Sequence, residues 1–166
     1  VSGKGKTFVG ATMTDVARGG PGWVAVGFSW GPFNKPVIWT SVDAVHWQRI
    51  ADQPAVVVYG EIERLLHGPA GLLAVSNGLD GAAGVWVSSD GLHWQAAPSD
   101  SFRGGILQQV TVGGPGYLAA GMQDGDPALW ASNDGLHWQR VAGAASFPGA
   151  TTRLQGVAAR ATRIVV

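Results

Sequence analysis

Ser88-Ser89-Asp90-Gly91-Leu92-His93-Trp94-Gln95 recurs as Ser41-Val42-Asp43-Ala44-Val45-His46-Trp47-Gln48 and as Ser132-Asn133-Asp134-Gly135-Leu136-His137-Trp138-Gln139. The three tryptophans are separated by 47 and then 44 residues. Each copy follows a short apolar run with its own tryptophan: Val37-Ile38-Trp39, Val85-Trp86-Val87 and Leu129-Trp130-Ala131. Strand-forming residues that run into Asp-Gly and on to a second Trp-bearing run predict a β-hairpin, since Asp and Gly tolerate the positive φ of a type I′ turn. The Asp carboxylate can accept N–H bonds across that turn, and the Ser hydroxyl can add another. Ala44 stands where the other copies have glycine, so the first hairpin is expected to be strained or to use another turn type.

A second turn lies upstream of each copy: Gly20-Pro21-Gly22-Trp23, Pro69-Ala70-Gly71-Leu72 and Gly114-Pro115-Gly116-Tyr117. Each divides two further apolar runs, so one unit is four strands, a to d, with tight a–b and c–d turns. A period in the forties with four strands and a Trp-bearing turn predicts an all-β chain of β-propeller blades. The units are expected at about 12–50, 61–97 and 106–141, with a partial fourth at 152–166 holding only strands a and b. Trp23, Leu72, Tyr117 and Ile164 align at steps of 49, 45 and 47, which supports that last half. A β-trefoil, also three repeats of four strands, is the alternative; it has no place for a fourth a–b pair.

Ser-x-Asp-Gly-x-His-Trp resembles the Asp box of bacterial neuraminidase-type repeats, Ser-x-Asp-x-Gly-x-Thr-Trp, which lies on the c–d hairpin of a propeller blade. The present motif lacks the residue between Asp and Gly and has His before Trp. The likeness covers all three units, with Ser41, Asp43, Trp47, Ser88, Asp90, Trp94, Ser132, Asp134 and Trp138 in the box positions. It implies a propeller in which these residues are structural. Because Asp-box propellers serve as glycosidases, sorting receptors and assembly factors alike, it implies no single activity. It does imply an extracellular or periplasmic location.

The 166 residues, 46% apolar and 13% charged, suffice for one domain with a core. Twenty-six glycines, about twice the usual share, suit a turn-rich β protein. A formal net charge of zero gives no reason to expect nucleic acid or an anionic membrane as partner. No apolar run approaches the roughly 20 residues of a membrane-spanning helix. The absence of cysteine removes disulfides, thiolate metal sites and a Cys nucleophile. No leader pattern opens the chain, and its Val1 start reads as that of a mature or trimmed form. Gly5-Lys6-Thr7 echoes a phosphate-binding loop, but neither the spacing nor a following helix supports a nucleotide. No cofactor and no metal are expected.

Closed propellers typically have four to eight blades, and an open array leaves blade faces bare. Each tryptophan buried is worth roughly 5 kcal/mol, so bare faces would be costly. Self-association or additional blades are therefore expected, with two copies closing a ring of about seven as one form.

The a–b and c–d turns are near-identical while the b–c and d–a connections diverge, and a propeller puts the two sets at opposite ends. Binding is expected at the divergent end. There Trp30 and Phe33, beside Asn34 and Lys35, can stack on a sugar or grip a protein, or else tuck under a neighbouring loop, the plainer reading. Asp124, Asp126 and Asp80 can be turn formers or, less plainly, calcium ligands. The innermost strands align Thr14-Asp15, Glu63-Arg64, Gln108-Gln109 and Gln155-Gly156 around the expected channel mouth. Glu61 and Glu63, the chain's two glutamates, are two apart on one strand near Arg64, a pattern that glycoside acid–base chemistry can use and a wet channel also explains. His46, His93 and His137 fall on three units that point apart, so they are expected to serve the turns and not a metal. No Ser–His–Asp set stands out as a nucleophilic triad, and the eight arginines are scattered.

The expected function is a non-catalytic propeller scaffold recognising a protein or glycan, with Asp15, Trp30, Phe33, Asn34, Glu61, Glu63, Arg64, Gln108 and Gln109 as candidate ligand-binding residues. A neuraminidase-like glycoside hydrolase or a carbohydrate-binding lectin is the alternative.

Overall fold

The computed structural model describes residues 8–52, 56, 60–78, 83–114, 116–142, 158–160 and 163–165. Among them the regular structure is strand, save for single 3-10 turns such as that at Ser99–Phe102. Three antiparallel four-stranded sheets follow one another. The first holds β1 (Ala11–Gly19), β2 (Gly22–Ser29), β3 (Lys35–Ser41) and β4 (Gln48–Arg49). The second holds β5 (Gly60–Gly68), β6 (Gly71–Gly78), β7 (Ala83–Ser88) and β8 (Gln95–Ala96). The third holds β9 (Gly105–Gly113), β10 (Gly116–Gln123), β11 (Asp126–Ser132) and β12 (Gln139–Ala142). A hairpin of β13 (Ala158–Arg160) and β14 (Arg163–Val165) comes last, with Ala159 opposite Ile164. Each sheet is a meander in sequence order, and its strand-ladder hydrogen bonds join strands of its own unit. These are blade-like sheets of the propeller type, not the hairpins of a trefoil barrel. The Leu154–Gly156 part of the expected fourth unit lies outside the described residues.

Strand alternation sorts the apolar residues onto two faces of each sheet. Cross-strand partners share a face, so Val24 and Val26 on β2 and Ile38 on β3 turn one way, while Ala25 and Trp39 turn the other. Between the first two sheets, Val24, Val26 and Ile38 pack on Ile62, Leu65, Leu72, Ala74, Trp86 and Trp94. Between the next two, Leu73, Val75, Val85 and Val87 pack on Leu107, Tyr117, Ala119, Trp130 and Trp138. The core is therefore split into dry layers between sheets, and in both layers the two tryptophans of a unit face the sheet before it. Phe102, on the 3-10 turn, completes the second layer, edge-on to Trp130 at 5.8 Å between ring centres and tilted against Trp138 at 5.4 Å.

The first strand of each four-stranded sheet carries one bulge at the same place in the repeat. The register slips across Thr14 in β1, Glu63 in β5 and Gln108 in β9. A bulge places one extra residue against its partner strand and re-aims the side chains beside it. The three residues are among those that the repeat alignment sets together.

Candidate functional site

The repeated turn is not the two-residue hairpin that Asp-Gly suggests. Strand c ends at Ser41, Ser88 or Ser132, and strand d begins only at Gln48, Gln95 or Gln139. The Asp supplies the missing order from within the connection. Asp90 Oδ1 accepts the N–H groups of Leu92 and His93, both at 2.8 Å, and the Ser88 hydroxyl bonds the same oxygen at 3.2 Å. Asp43 and Asp134 repeat this arrangement with Val45, His46 and Ser41, and with Leu136, His137 and Ser132. The indole N–H of Trp47, Trp94 or Trp138 donates back to the carbonyl of Ala44, Gly91 or Gly135. Ala44 adopts φ 61°, matching Gly91 at 72° and Gly135 at 76°. The first copy therefore keeps the shared turn and bears strain of roughly 1–2 kcal/mol. Among the described residues the Asp-Gly pair that does form a two-residue hairpin is Asp124-Gly125, at φ 54° and 89°, between β10 and β11.

Histidine closes each turn from outside. His46, His93 and His137 bring Nδ1 to 2.7 Å from Oδ2 of Asp43, Asp90 and Asp134. A carboxylate only accepts, so the proton sits on Nδ1. The ring contact, ahead of the His and Val or Leu N–H groups, holds Asp43 and Asp90 well below the usual carboxylate range. For Asp134 partial burial pulls upward, and the His137 N–H, the His137 ring, Leu136 and Ser132 together outweigh it. The Ser hydroxyl bonds one oxygen of the Asp and the ring bonds the other, so the order is Ser–Asp–His, a turn brace and not the Ser–His–Asp order of a nucleophilic relay.

The divergent end is built differently. Trp30 and Phe33 do not tuck under a neighbouring loop; they are 65% and 59% exposed. The loop that carries them is tied down. Trp30 N–H donates to Gly10 O at 2.7 Å, and Gly60 N–H donates to Asn34 O at 3.0 Å. Beneath Trp30 the buried ring of Phe28 stands edge-on at 5.3 Å. Asn34 Nδ2 donates to Glu61 Oε1 at 2.9 Å, fixing the amide and the carboxylate beside the aromatic pair. Four of the expected residues, Trp30, Phe33, Asn34 and Glu61, thus form one group.

The others serve the inner strands. Asp15 accepts the N–H of Leu65 in the next sheet at 2.9 Å, and Thr14 donates to the Ile62 carbonyl. Glu63 accepts from Asn77 at 3.3 Å, while Arg64 is exposed and among the described residues bonds neither glutamate. The two carboxylates are therefore engaged by different asparagines. Gln108 and Gln109 are half-buried on β9, and Gln108 Oε1 is buried with no hydrogen-bond partner among the described residues. Asn77 on β6, outside the expected site residues, is a main link between sheets; its side-chain nitrogen and oxygen both bond Leu107.

Among the described residues no group of three or more His, Cys, Asp or Glu is placed to hold a metal ion. Asp124 sits in the hairpin turn, its N–H on Gly104 O at 2.9 Å; Asp80 and Gln155-Gly156 lie outside the described residues. No described helix is long and apolar enough to cross a membrane. No family model matches the chain, and no curated protein matches it.

Proposed function

We propose that the chain is a non-catalytic scaffold of Asp-box-type propeller blades that binds a protein or glycan at its divergent end, in an extracellular or periplasmic compartment. The observation that carries this reading is the Trp30–Phe33 pair: two large exposed rings on a loop anchored at both ends. Rings held in place lose little freedom on binding, which is what favours contact through aromatic anchors. Asn34 and Glu61 beside them supply a donor and an acceptor of the kind a sugar hydroxyl or a peptide amide needs. The turn braces at the other end are occupied by their own hydrogen bonds and fit a supporting role.

Binding to an array of oligosaccharides and candidate protein ligands tests the proposal. The expected result is binding that weakens at least about tenfold, or ~1.4 kcal/mol, in Trp30→Ala with the fold intact. Binding unchanged in both Trp30→Ala and Phe33→Ala would count against it. Glycan hydrolysis that disappears in Glu63→Gln would replace it with a glycoside hydrolase.

A further inference from the structure

The register of the hairpin between β2 and β3 decides which side chains share a face with Trp30. Phe28 pairs with Pro36 and Ser29 with Lys35, so Trp30 and Asn34 are the next residues to meet across the neck. Continuing the strand alternation puts Phe28, Trp30 and Asn34 on the face of Val26 and Ile38, the one that packs on the second sheet. Two contacts agree: the Phe28 ring stands against Trp30, and Asn34 reaches Glu61 on β5. Lys35 falls on the opposite face with Val37 and Trp39, turned away from this group. Among the described residues no ion pair neutralises Glu61 or Glu63.

The polar side-chain atoms left over beside the indole are acceptors. A carboxylate only accepts, so the Asn34 amide has to turn its nitrogen to Glu61 and its oxygen away. Glu61 Oε2 and Asn34 Oδ1 then have no partner among the described residues. A sugar hydroxyl both donates and accepts, whereas a guanidinium or an ammonium only donates. Acceptors and a carboxylate next to an exposed indole suit the cation, which an indole face also attracts through its π electrons. The molecule already holds one such pair, with the Arg18 guanidinium 5.8 Å from the centre of the Trp23 ring. Arginine fits better than lysine, because its planar cation stacks and its N–H fork meets two acceptors at once.

We propose that Trp30, Asn34 and Glu61 form a subsite for an arginine side chain of a partner protein, its guanidinium stacked on the indole and donating to the Glu61 carboxylate. The inference rests on reading the divergent end as the binding end, and it selects a protein over a glycan there. Phe33, exposed at the tip of the same loop, adds apolar area for the residues flanking that arginine. An anionic sugar is disfavoured, since it would meet the glutamates with like charge.

NMR titration of the full chain reads the Trp30 indole N–H, assigned by its loss in Trp30→Phe. The probe is a capped tripeptide with arginine between two glycines, taken to about 10 mM so that a Kd of about 1 mM registers. A saturable shift is expected, at least about fivefold tighter than with the same tripeptide carrying citrulline, which keeps the shape and drops the charge. Glu61→Gln, which can still accept from Asn34, is expected to remove that preference. Asp126→Asn, an equal change of net charge on the third sheet, is expected to keep it. No saturable shift with arginine, equal binding of the two tripeptides, a preference that survives Glu61→Gln, or one that Asp126→Asn removes equally would overturn the proposal. A neutral oligosaccharide that shifts the Trp30 signal where the arginine tripeptide does not would remove the arginine subsite and leave the divergent end as the binding end. Ligands whose binding ignores both Trp30→Ala and Phe33→Ala would remove both.

Discussion

Asn77 and Leu107 exchange two hydrogen bonds across the gap between the second and third sheets. The side-chain Nδ2 donates to the Leu107 carbonyl and the Leu107 N–H donates to Asn77 Oδ1, each at 2.9 Å. The amide thus behaves as one residue of an extra strand, set against β9 immediately before its bulge at Gln108. Between the first and second sheets Thr14 and Asp15 do the equivalent with Ile62 and Leu65. The inner strands are therefore joined by side chains, and the sheets cannot slide without breaking polar bonds as well as the apolar layers.

Asn77→Ala is expected to lower stability by about 1–3 kcal/mol, because it strands a donor and an acceptor on a buried residue. Urea unfolding should show a lower midpoint at unchanged slope, the sign of lost stability without a change in the surface exposed.

The three glycine-type corners predict opposite signs for similar substitutions. Ala44→Gly relieves a left-handed alanine and is expected to stabilise by about 1 kcal/mol. Gly91→Ala and Gly135→Ala impose that strain, and the new Cβ would lie 2.7 Å from Cγ2 of Val24 and of Val87 respectively. Their expected cost is about 2–4 kcal/mol, combining backbone strain with overpacking. Calorimetric melting of the three variants checks the order.

The turn carboxylates set an acid limit. Asp43, Asp90 and Asp134 have folded-state pKa values below the ordinary carboxylate value, so the unfolded chain takes up their protons first as pH falls. Their contribution is complete above about pH 5 and is lost as pH falls below about 4 and on through the lower folded values. Asp90→Asn is therefore expected to melt below wild type at pH 7, with a gap that shrinks as pH falls from about 4 toward 2. Added salt should narrow the gap at pH 7, since these groups are largely exposed.

Trp30→Ala and Phe33→Ala are expected to change stability by no more than about 0.5 kcal/mol, the range of exposed substitutions away from special features. A large loss of melting temperature in both would show the rings to be structural.

The repeat was legible because its chemistry is local. Ser88, Asp90, His93 and Trp94 bond within three residues of one another, so spacing alone encodes the brace, and it predicted where Asp and Ser would bond. It misjudged the hairpin length, because Asp-Gly suits both a two-residue turn and an Asp-capped longer one; which forms depends on where the strands stop. The bulges at Thr14, Glu63 and Gln108 were hidden, though the aligned pairs sit on them, since a register slip leaves no mark in composition. Of the candidate site, Trp30 and Phe33 were found by their odd company of Gly, Pro and polar residues, but not their exposure.

What the amino-acid sequence determined by itself is the unit: four strands, a braced corner, and tryptophans spaced to share a face. What only the tertiary structure decided is how units meet: Asn77 on Leu107, Asp15 on Leu65, Asn34 on Glu61, and an uncovered Val16 where Leu65 is buried. The division follows from range. Bonds within a turn are fixed by short-chain geometry, whereas contacts between residues 27 to 50 positions apart exist only once sheets have stacked and the apolar layers have chosen their distance.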